Sequence, residues 1–203
     1  MDELRLFVAL ELPDRSIRDL ENVQDRLRQV DTEDIIRWSS GDGFHLTLKF
    51  LGDAPEDELP EICTALGDAI NHSQPVSFGL SAEGLGGFPD VFTPRTVWAG
   101  VTGAIDRLLS LQKVVEKSVA PLRLPVDNKA FSPHLTLGRA YHNAAKAKLS
   151  AFGYRLSELD IGPISQWPVK TVSLMHSELR PGGPIYHEVA VWSLVEPRQD
   201  SAG

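Results

Sequence analysis

Phe131-Ser132-Pro133-His134-Leu135-Thr136-Leu137-Gly138-Arg139 contains a tetrapeptide that this chain uses twice. His-Leu-Thr-Leu also occurs at residues 45–48, within Phe44-His45-Leu46-Thr47-Leu48-Lys49-Phe50. In both copies leucine alternates with a polar residue, a pattern that predicts a short strand with one apolar face. A repeated tetrapeptide alone proves little, so the flanking sequence must support any conclusion drawn from it.

The alternation predicts which side chains share a face of each strand. Successive side chains point to opposite faces, so His45 and Thr47 lie on one face, as do His134 and Thr136. The leucines lie on the other face, and Phe50 is expected to join them in the core; the alternative is that its ring stacks on a base. Two such strands placed side by side would bring two imidazoles to one cleft, where they could transfer two protons.

Composition limits the class of protein. The chain has 203 residues, of which 42% are hydrophobic, enough for one substantial core. A single cysteine, Cys63, excludes an internal disulfide and is expected to pack in the core. The sequence has no apolar run of roughly 18 residues and begins with acidic residues, so neither a membrane helix nor a signal peptide is expected. Cytoplasm is the expected location.

The charge balance limits the partners. The net charge is -8 and the pI is near 5.2, and no stripe of lysine or arginine is visible. Proteins that hold long phosphate backbones need such stripes. We therefore expect no long nucleic-acid duplex and no membrane as partner, although an acidic protein can still hold a single phosphate in a local pocket. A nucleic acid would be recognised at an end.

The order of predicted elements indicates an α+β fold. Helical spacing of apolar residues predicts four helices, within 14–30, 55–70, 103–120 and 143–152. Strands are predicted at 5–12, 44–51, 75–80, 95–101, 131–137, 161–167, 170–178 and 185–195, with a hairpin turn at 181–184. Residues 31–43 are expected to be a polar connection, and the glycine-rich segment 84–89 a flexible wall or turn.

This order predicts a bilobal architecture. Two similar halves would each contribute an antiparallel or mixed sheet to a central groove, with helices on the outer faces. Residues 1–195 are predicted to form a single domain with two pseudo-symmetric lobes and one His-Leu-Thr-Leu motif in each. Residues 196–203 are expected to be a polar C-terminal tail.

The paired motifs resemble the 2H phosphoesterase family, and most closely its RNA 2′,3′-cyclic phosphodiesterase branch, also called 2′-5′ RNA ligases. The flanking segments RLFVALELP, HLTLKFLG, GGFP, RTVWAGV and FSPHLTLGR follow the order of that family, and Tyr186 lies in the expected closing hairpin. The resemblance implies a bilobal fold in which the motifs face each other, no metal or other cofactor, and hydrolysis of a 2′,3′-cyclic phosphate to a 2′-phosphate.

The resemblance also implies a role for each motif histidine. His45 would protonate the departing ribose 3′ oxygen, and His134 would accept the proton of the attacking water; each must lie within about 3 Å of its oxygen. Thr47 and Thr136 could donate hydrogen bonds to the charged phosphate oxygens. Arg139 would lie on the opposite face of a regular strand from His134, so it reaches the phosphate only if the strand bends after Gly138.

Other functions remain open. The same site could run in reverse as a 2′-5′ RNA ligase, or the chain could be a non-catalytic module that grips RNA ends or nucleotides through Thr47, Thr136 and Arg139. The spacing of histidines offers no third metal ligand, so no metal site is expected. The expected partners are RNA ends or nucleotides that carry a 2′,3′-cyclic phosphate, bound by a monomer.

Overall fold

The computed structural model describes residues 3–122, 124, 130–180 and 183–197. The predicted hairpin turn at 181–184 and the C-terminal tail at 196–203 therefore lie partly outside the described residues. In chain order the elements are β1 (Glu3–Glu11), α1 (Asp14–Val30), β2 (Ile36–Trp38), β3 (His45–Pro55), α2 (Leu59–Ser73), β4 (Phe78–Phe88), β5 (Thr96–Gly103), α3 (Ile105–Val119), β6 (His134–Ala140), α4 (Lys146–Ser157), β7 (Pro163–Val169), β8 (Thr171–Arg180) and β9 (Gly183–Ser193).

The strands form two antiparallel sheets. The first sheet has four strands in the order β3-β1-β8-β9, and the second has five in the order β2-β6-β5-β4-β7. The two predicted His strands are β3 in the first sheet and β6 in the second. The α+β fold class predicted from the sequence is thereby confirmed.

The helices cover one face of each sheet. Helices α1 and α4 pack against β7 and β4 of the second sheet, whereas α2 and α3 pack against β9 and β3 of the first. In α1, Leu20, Val23 and Leu27 are buried, as the helical spacing of apolar residues predicts. One continuous apolar cluster joins strands of both sheets with all four helices. The uncovered faces of the two sheets carry the motif histidines.

The glycine-rich segment is a strand, which corrects the expectation of a flexible wall or turn at 84–89. Strand β4 continues to Phe88 and pairs with β5 along this length. A Cβ atom at Gly86 would lie 2.2 Å from the ring of Trp98, so only glycine leaves room for that indole. Glycine usually weakens a strand, but here it admits a large aromatic ring of the neighbouring strand.

Residues 31–43 also differ from the expectation, because they include β2. This strand has only three residues, Ile36–Trp38, and it pairs with β6 at the edge of the second sheet. A strand this short is too brief for an alternating pattern to reveal it.

Both His strands contain a β-bulge at the same place in the motif. In the first sheet Ala9 pairs with Thr47 but the preceding residue, Val8, pairs with Lys49, which leaves Leu48 as the extra residue. In the second sheet Trp98 pairs with Thr136 and Val97 with Gly138, so the extra residue there is Leu137. A bulge shifts the alternation of side chains by one residue, and it therefore changes which face every later residue occupies.

No helix of the described residues is long and apolar enough to cross a membrane.

Candidate active site

Aromatic rings hold both motif histidines on the uncovered faces of the sheets. The ring of His45 lies 4.8 Å from that of Phe7 and 5.0 Å from that of Tyr186, measured between centroids. The ring of His134 lies 5.0 Å from Phe88, edge to face. Such contacts remove water from one side of each imidazole and restrict its rotation.

The backbone two residues before each histidine also acts on its imidazole. His134 Nδ1 lies 2.7 Å from the carbonyl oxygen of Ser132. A carbonyl only accepts, so Nδ1 carries the proton and donates, and Nε2 of the neutral ring keeps a free lone pair. The backbone of Gly43, two residues before His45, acts on that imidazole in the same sense and raises its pKa.

The environment lowers the pKa of both imidazoles. Burial lowers the pKa of His45 to about 4, and the positive charges of Arg139 and His134 add to this effect. Burial also lowers the pKa of His134; the hydrogen bond to Ser132 opposes the change and the charge of Arg139 adds to it. The charge of one guanidinium, that of Arg139, therefore acts on both imidazoles.

Thr47 and Thr136 occupy equivalent places beside the histidines. Each lies two residues after its histidine, just before the bulge, and each is partly exposed on the same face as that histidine. The placement agrees with the alternation read from the sequence, so each imidazole has one hydroxyl beside it on its own strand.

The bulge at Leu137 brings Arg139 to the face that carries His134. A regular strand would have pointed Arg139 towards the core. From the sequence, Arg139 was expected to reach the site only if the strand bent after Gly138. The structure instead has the irregularity before Gly138. Arg139 is exposed, and its Nη1 donates a 3.1 Å hydrogen bond to Thr96 Oγ1 on β5.

The bulge at Leu48 turns Phe50 in the same way, which corrects the expectation that Phe50 lies in the core. Its side chain is 49% exposed, and its ring lies 6.0 Å from that of Phe7, its cross-strand partner. Phe50 and Phe7 therefore occupy in the first sheet the places that Arg139 and Thr96 occupy in the second. One side of the site is apolar at this point and the other is cationic.

Two further residues of the site were assigned no role from the sequence. Tyr186, on β9, packs edge to face against His45. Burial raises the pKa of Tyr186, while the charges of Arg139, Arg37 and Arg5 lower it. Arg37 lies on β2, directly opposite Arg139. The hairpin that carries Tyr186 was recognised in the sequence, but Arg37 belongs to the strand that was missed.

The described residues contain no group of three His, Cys, Asp or Glu side chains arranged to hold a metal ion. The candidate site therefore consists of imidazoles, hydroxyls, guanidinium groups and aromatic rings. This set can transfer protons and bind a phosphate group.

Comparison with known proteins gives consistent matches over nearly the whole chain. A model of LigT-like phosphoesterases matches residues 10–98 and 100–186. A protein of Methanothermobacter thermautotrophicus named RNA 2′,3′-cyclic phosphodiesterase is 31% identical over 95% of this chain and 100% of its own length. One of the same name from Thermus thermophilus is 33% identical over 94% of this chain and 90% of its own.

Solved structures agree with these matches. A crystal structure of a Thermus thermophilus protein has a TM-score of 0.73 at 30% identity and covers 94% of this chain and 97% of its own. The Escherichia coli LigT complexed with 3′-AMP has a TM-score of 0.73 at 22% identity and covers 95% of this chain and 99% of its own, a likeness of fold.

Proposed function

Because the chain belongs to the LigT-like phosphoesterase family, as its paired motifs predicted, we propose that it hydrolyses RNA or nucleoside 2′,3′-cyclic phosphates to 2′-phosphates. The observation that carries the proposal is the pair of equivalent bulged strands, each presenting a histidine and a threonine, together with one arginine whose charge lowers the pKa of both imidazoles. Relatives named RNA 2′,3′-cyclic phosphodiesterase match at 28–34% identity and support the choice of substrate.

In the proposed mechanism His134 acts as the base and His45 as the acid. Nε2 of neutral His134 takes a proton from water, whose oxygen attacks phosphorus. The bond between phosphorus and the ribose 3′ oxygen breaks, and His45 gives that oxygen its proton. Because the pKa of free His45 is about 4, the ring is mostly neutral near pH 7. The bound phosphodiester anion offsets the charge of Arg139 and so favours the protonated form.

The other proposed site residues act on the phosphate. Charge grows on the non-bridging oxygens as water attacks, and donors fixed in place beforehand stabilise that charge. Thr47 and Thr136 each offer a hydroxyl from one side of the groove, and Arg139 offers a guanidinium that is oriented by its bond to Thr96. These residues supply the charge stabilisation that a metal ion provides in other phosphoesterases, so we propose a reaction without a cofactor.

Substrates with different leaving groups test the roles of the two histidines separately. A ribose alkoxide needs a proton in order to leave, whereas a nitrophenolate does not. His45→Ala should therefore lose about 10²–10⁴-fold in kcat on adenosine 2′,3′-cyclic phosphate and much less on an aryl phosphodiester. His134→Ala should lose activity on both substrates, because water must be activated in either case.

Steady-state assays in excess EDTA provide these data and test the absence of a metal at the same time. The opposite leaving-group pattern would exchange the roles of the two histidines. Equal losses on both substrates would mean that the imidazoles bind phosphate and transfer no proton. Loss of wild-type activity in EDTA with recovery on adding a divalent ion would disprove the mechanism without a cofactor.

A further inference from the structure

Two arginines face each other across neighbouring strands at the edge of the site. Arg37 on β2 is the direct cross-strand partner of Arg139 on β6, so both side chains lie on the same face of the second sheet. Side chains in such positions have Cβ atoms only about 5 Å apart, and like charges placed there destabilise the sheet. The pair therefore has an energetic cost in the absence of an anion.

The described residues provide no carboxylate to neutralise this pair. None of the ion pairs formed within that part of the chain includes Arg37 or Arg139. The chain has 28 acidic residues against 20 basic ones, so carboxylates are plentiful elsewhere. Two facing arginines without ion-pair partners among the described residues, in a protein of net charge -8, indicate a local site for anions.

Arg37 lies farther from the reaction centre than Arg139. Arg139 is on the strand that carries His134, and its charge lowers the pKa of both imidazoles. Arg37 is one strand farther out, on the edge strand of the sheet, and it is exposed. The scissile cyclic phosphate carries one negative charge, which Arg139 matches. The positive charge of the second guanidinium, that of Arg37, is not needed to balance the scissile phosphate and can balance a second phosphate.

We propose that Arg37 binds the phosphate that precedes the scissile one, so that the preferred substrate is the 3′ end of an oligonucleotide and not an isolated nucleoside cyclic phosphate. The proposal rests on the proposed function, because it places the scissile phosphate at Arg139. In an RNA 3′ end the preceding phosphate is the 5′-phosphate of the terminal nucleoside, which lies one ribose away from the cyclic phosphate. Arginine suits this position because its planar guanidinium can bond two phosphate oxygens at once.

Equilibrium binding tests the second phosphate site without requiring turnover. Isothermal titration would compare adenosine 2′-monophosphate with adenosine 2′,5′-bisphosphate at low salt. We expect the wild-type protein to bind the bisphosphate roughly 5- to 10-fold more tightly, the size of one charge-assisted contact that is partly screened. Arg37→Gln should abolish this preference and leave the affinity for the monophosphate within about 2-fold. Arg37→Lys, which keeps the charge, should retain part of the preference.

Arg18→Gln is the matched control. Arg18 is exposed on α1, which covers the other face of the second sheet, so this variant removes the same charge away from the groove. The Arg18→Gln variant should bind the bisphosphate more tightly than the monophosphate by the same factor as the wild type. Equal weakening of both ligands by Arg37→Gln would place Arg37 at the scissile phosphate and overturn the proposal, as would a preference that survives the substitution.

Measurements of turnover distinguish a failure of the second phosphate site from a failure of the proposed function. The ratio of kcat/KM for a dinucleotide ending in a 2′,3′-cyclic phosphate to that for adenosine 2′,3′-cyclic phosphate should exceed one in the wild type and fall towards one in Arg37→Gln. A wild type that hydrolyses neither substrate but still prefers the bisphosphate would refute the proposed function and leave the second phosphate site supported.

Discussion

Two imidazoles that both resist protonation dominate the chemistry at the scale of single residues. Burial and the charge of Arg139 keep the pKa of His45 and of His134 below the ordinary value of 6.5. A reaction that needs one protonated and one neutral imidazole is fastest between the two pKa values. The free protein would therefore perform the proposed reaction best at a pH below neutral, and a phosphate bound as proposed would raise both pKa values towards neutrality.

We expect the pH profile of kcat/KM, which reports on the free enzyme, to have its maximum below pH 6.5. Arg139→Gln removes a charge that lowers the pKa of both histidines, so the maximum should move to higher pH while the maximal rate falls. Rates measured from about pH 4 to 9 on adenosine 2′,3′-cyclic phosphate test this, with Arg18→Gln as the control for a lost surface charge. An unchanged maximum in Arg139→Gln would contradict it.

The lowered pKa of His45 should also appear in stability. The unfolded chain takes up a proton near pH 6.5, but the folded His45 does so only near pH 4, so acidification between these values favours unfolding. The full shift corresponds to about 3 kcal/mol, and because the ring is partly exposed we expect about 2. Urea titrations at about pH 7 and pH 4.5 measure how far the free energy of unfolding falls on acidification. We expect this fall to be about 2 kcal/mol smaller in His45→Gln than in the wild type. Equal losses would refute the shift.

At the scale of strands and helices, the bulge in β6 depends on a buried glutamine of α1. Gln24 is fully buried, and its Nε2 donates to the carbonyl oxygens of Leu137, at 2.7 Å, and Ser39, at 2.9 Å. Leu137 is the extra residue of the bulge, so this bond helps to hold the irregularity that brings Arg139 to the site. Helix α1 therefore supports the second sheet through these two hydrogen bonds.

Gln24→Met should destabilise the protein by about 1–3 kcal/mol, because the buried carbonyl of Leu137 and the half-buried carbonyl of Ser39 each lose a donor. It should also lower kcat/KM, since the bulge that positions Arg139 is less well supported. The exposed Gln29 of the same helix offers a matched control, and Gln29→Met should change neither quantity appreciably. Urea unfolding and steady-state assays measure both effects. Unchanged unfolding in Gln24→Met would argue against a supporting role.

A glycine after the bulge allows β2 to approach β6. A Cβ atom on Gly138 would lie 2.6 Å from Ile36 Cγ2 and 2.9 Å from Trp38 Cε3. We expect Gly138→Ala to cost about 1–3 kcal/mol through this crowding, and to move Arg37 with its strand. Gly79→Ala in β4 is the control, because a Cβ there meets nothing within 4 Å. Similar unfolding free energies for the two variants would refute this account.

Alternation along the strand predicted His45, Thr47, His134 and Thr136 correctly as two same-face pairs, but it failed immediately after each motif. The position of a bulge depends on pairing with the neighbouring strand, which is β1 for β3 and β5 for β6, and these strands are distant in sequence. In β6 the extra residue is also bonded by Gln24 of α1. For that reason the face of Arg139 stayed open and the face of Phe50 was predicted wrongly. The three-residue strand β2 was missed for the same reason, because it forms by pairing with β6, which is distant in sequence.

At the scale of the whole molecule, the chain passes repeatedly between the two sheets. The first sheet combines N-terminal strands β1 and β3 with C-terminal strands β8 and β9, and the second takes the segments between them. Helix α1 follows a strand of the first sheet but packs on the second. A single apolar cluster connects both sheets, so neither is expected to be stable without the other.

We therefore expect one cooperative unfolding transition. Of the four tryptophans, Trp38, Trp98 and Trp167 lie in the second sheet and Trp192 in the first. In Trp192→Phe, fluorescence reports only on the second sheet, whereas far-ultraviolet circular dichroism reports on both. The two signals should give the same urea midpoint. Separate midpoints would show that the lobes fold independently.

The two bulges also have a consequence for which ribose oxygen is released. A groove with two equivalent histidine strands could receive a cyclic phosphate in either of two orientations, and ring opening would then give a mixture of regioisomers. The second residue after each bulge would remove this ambiguity in the proposed reaction, since one strand offers the ring of Phe50 and the other the guanidinium of Arg139. Regioselectivity would then depend on the two positions at which the strands differ, and the histidines themselves would not distinguish the 2′ oxygen from the 3′ oxygen.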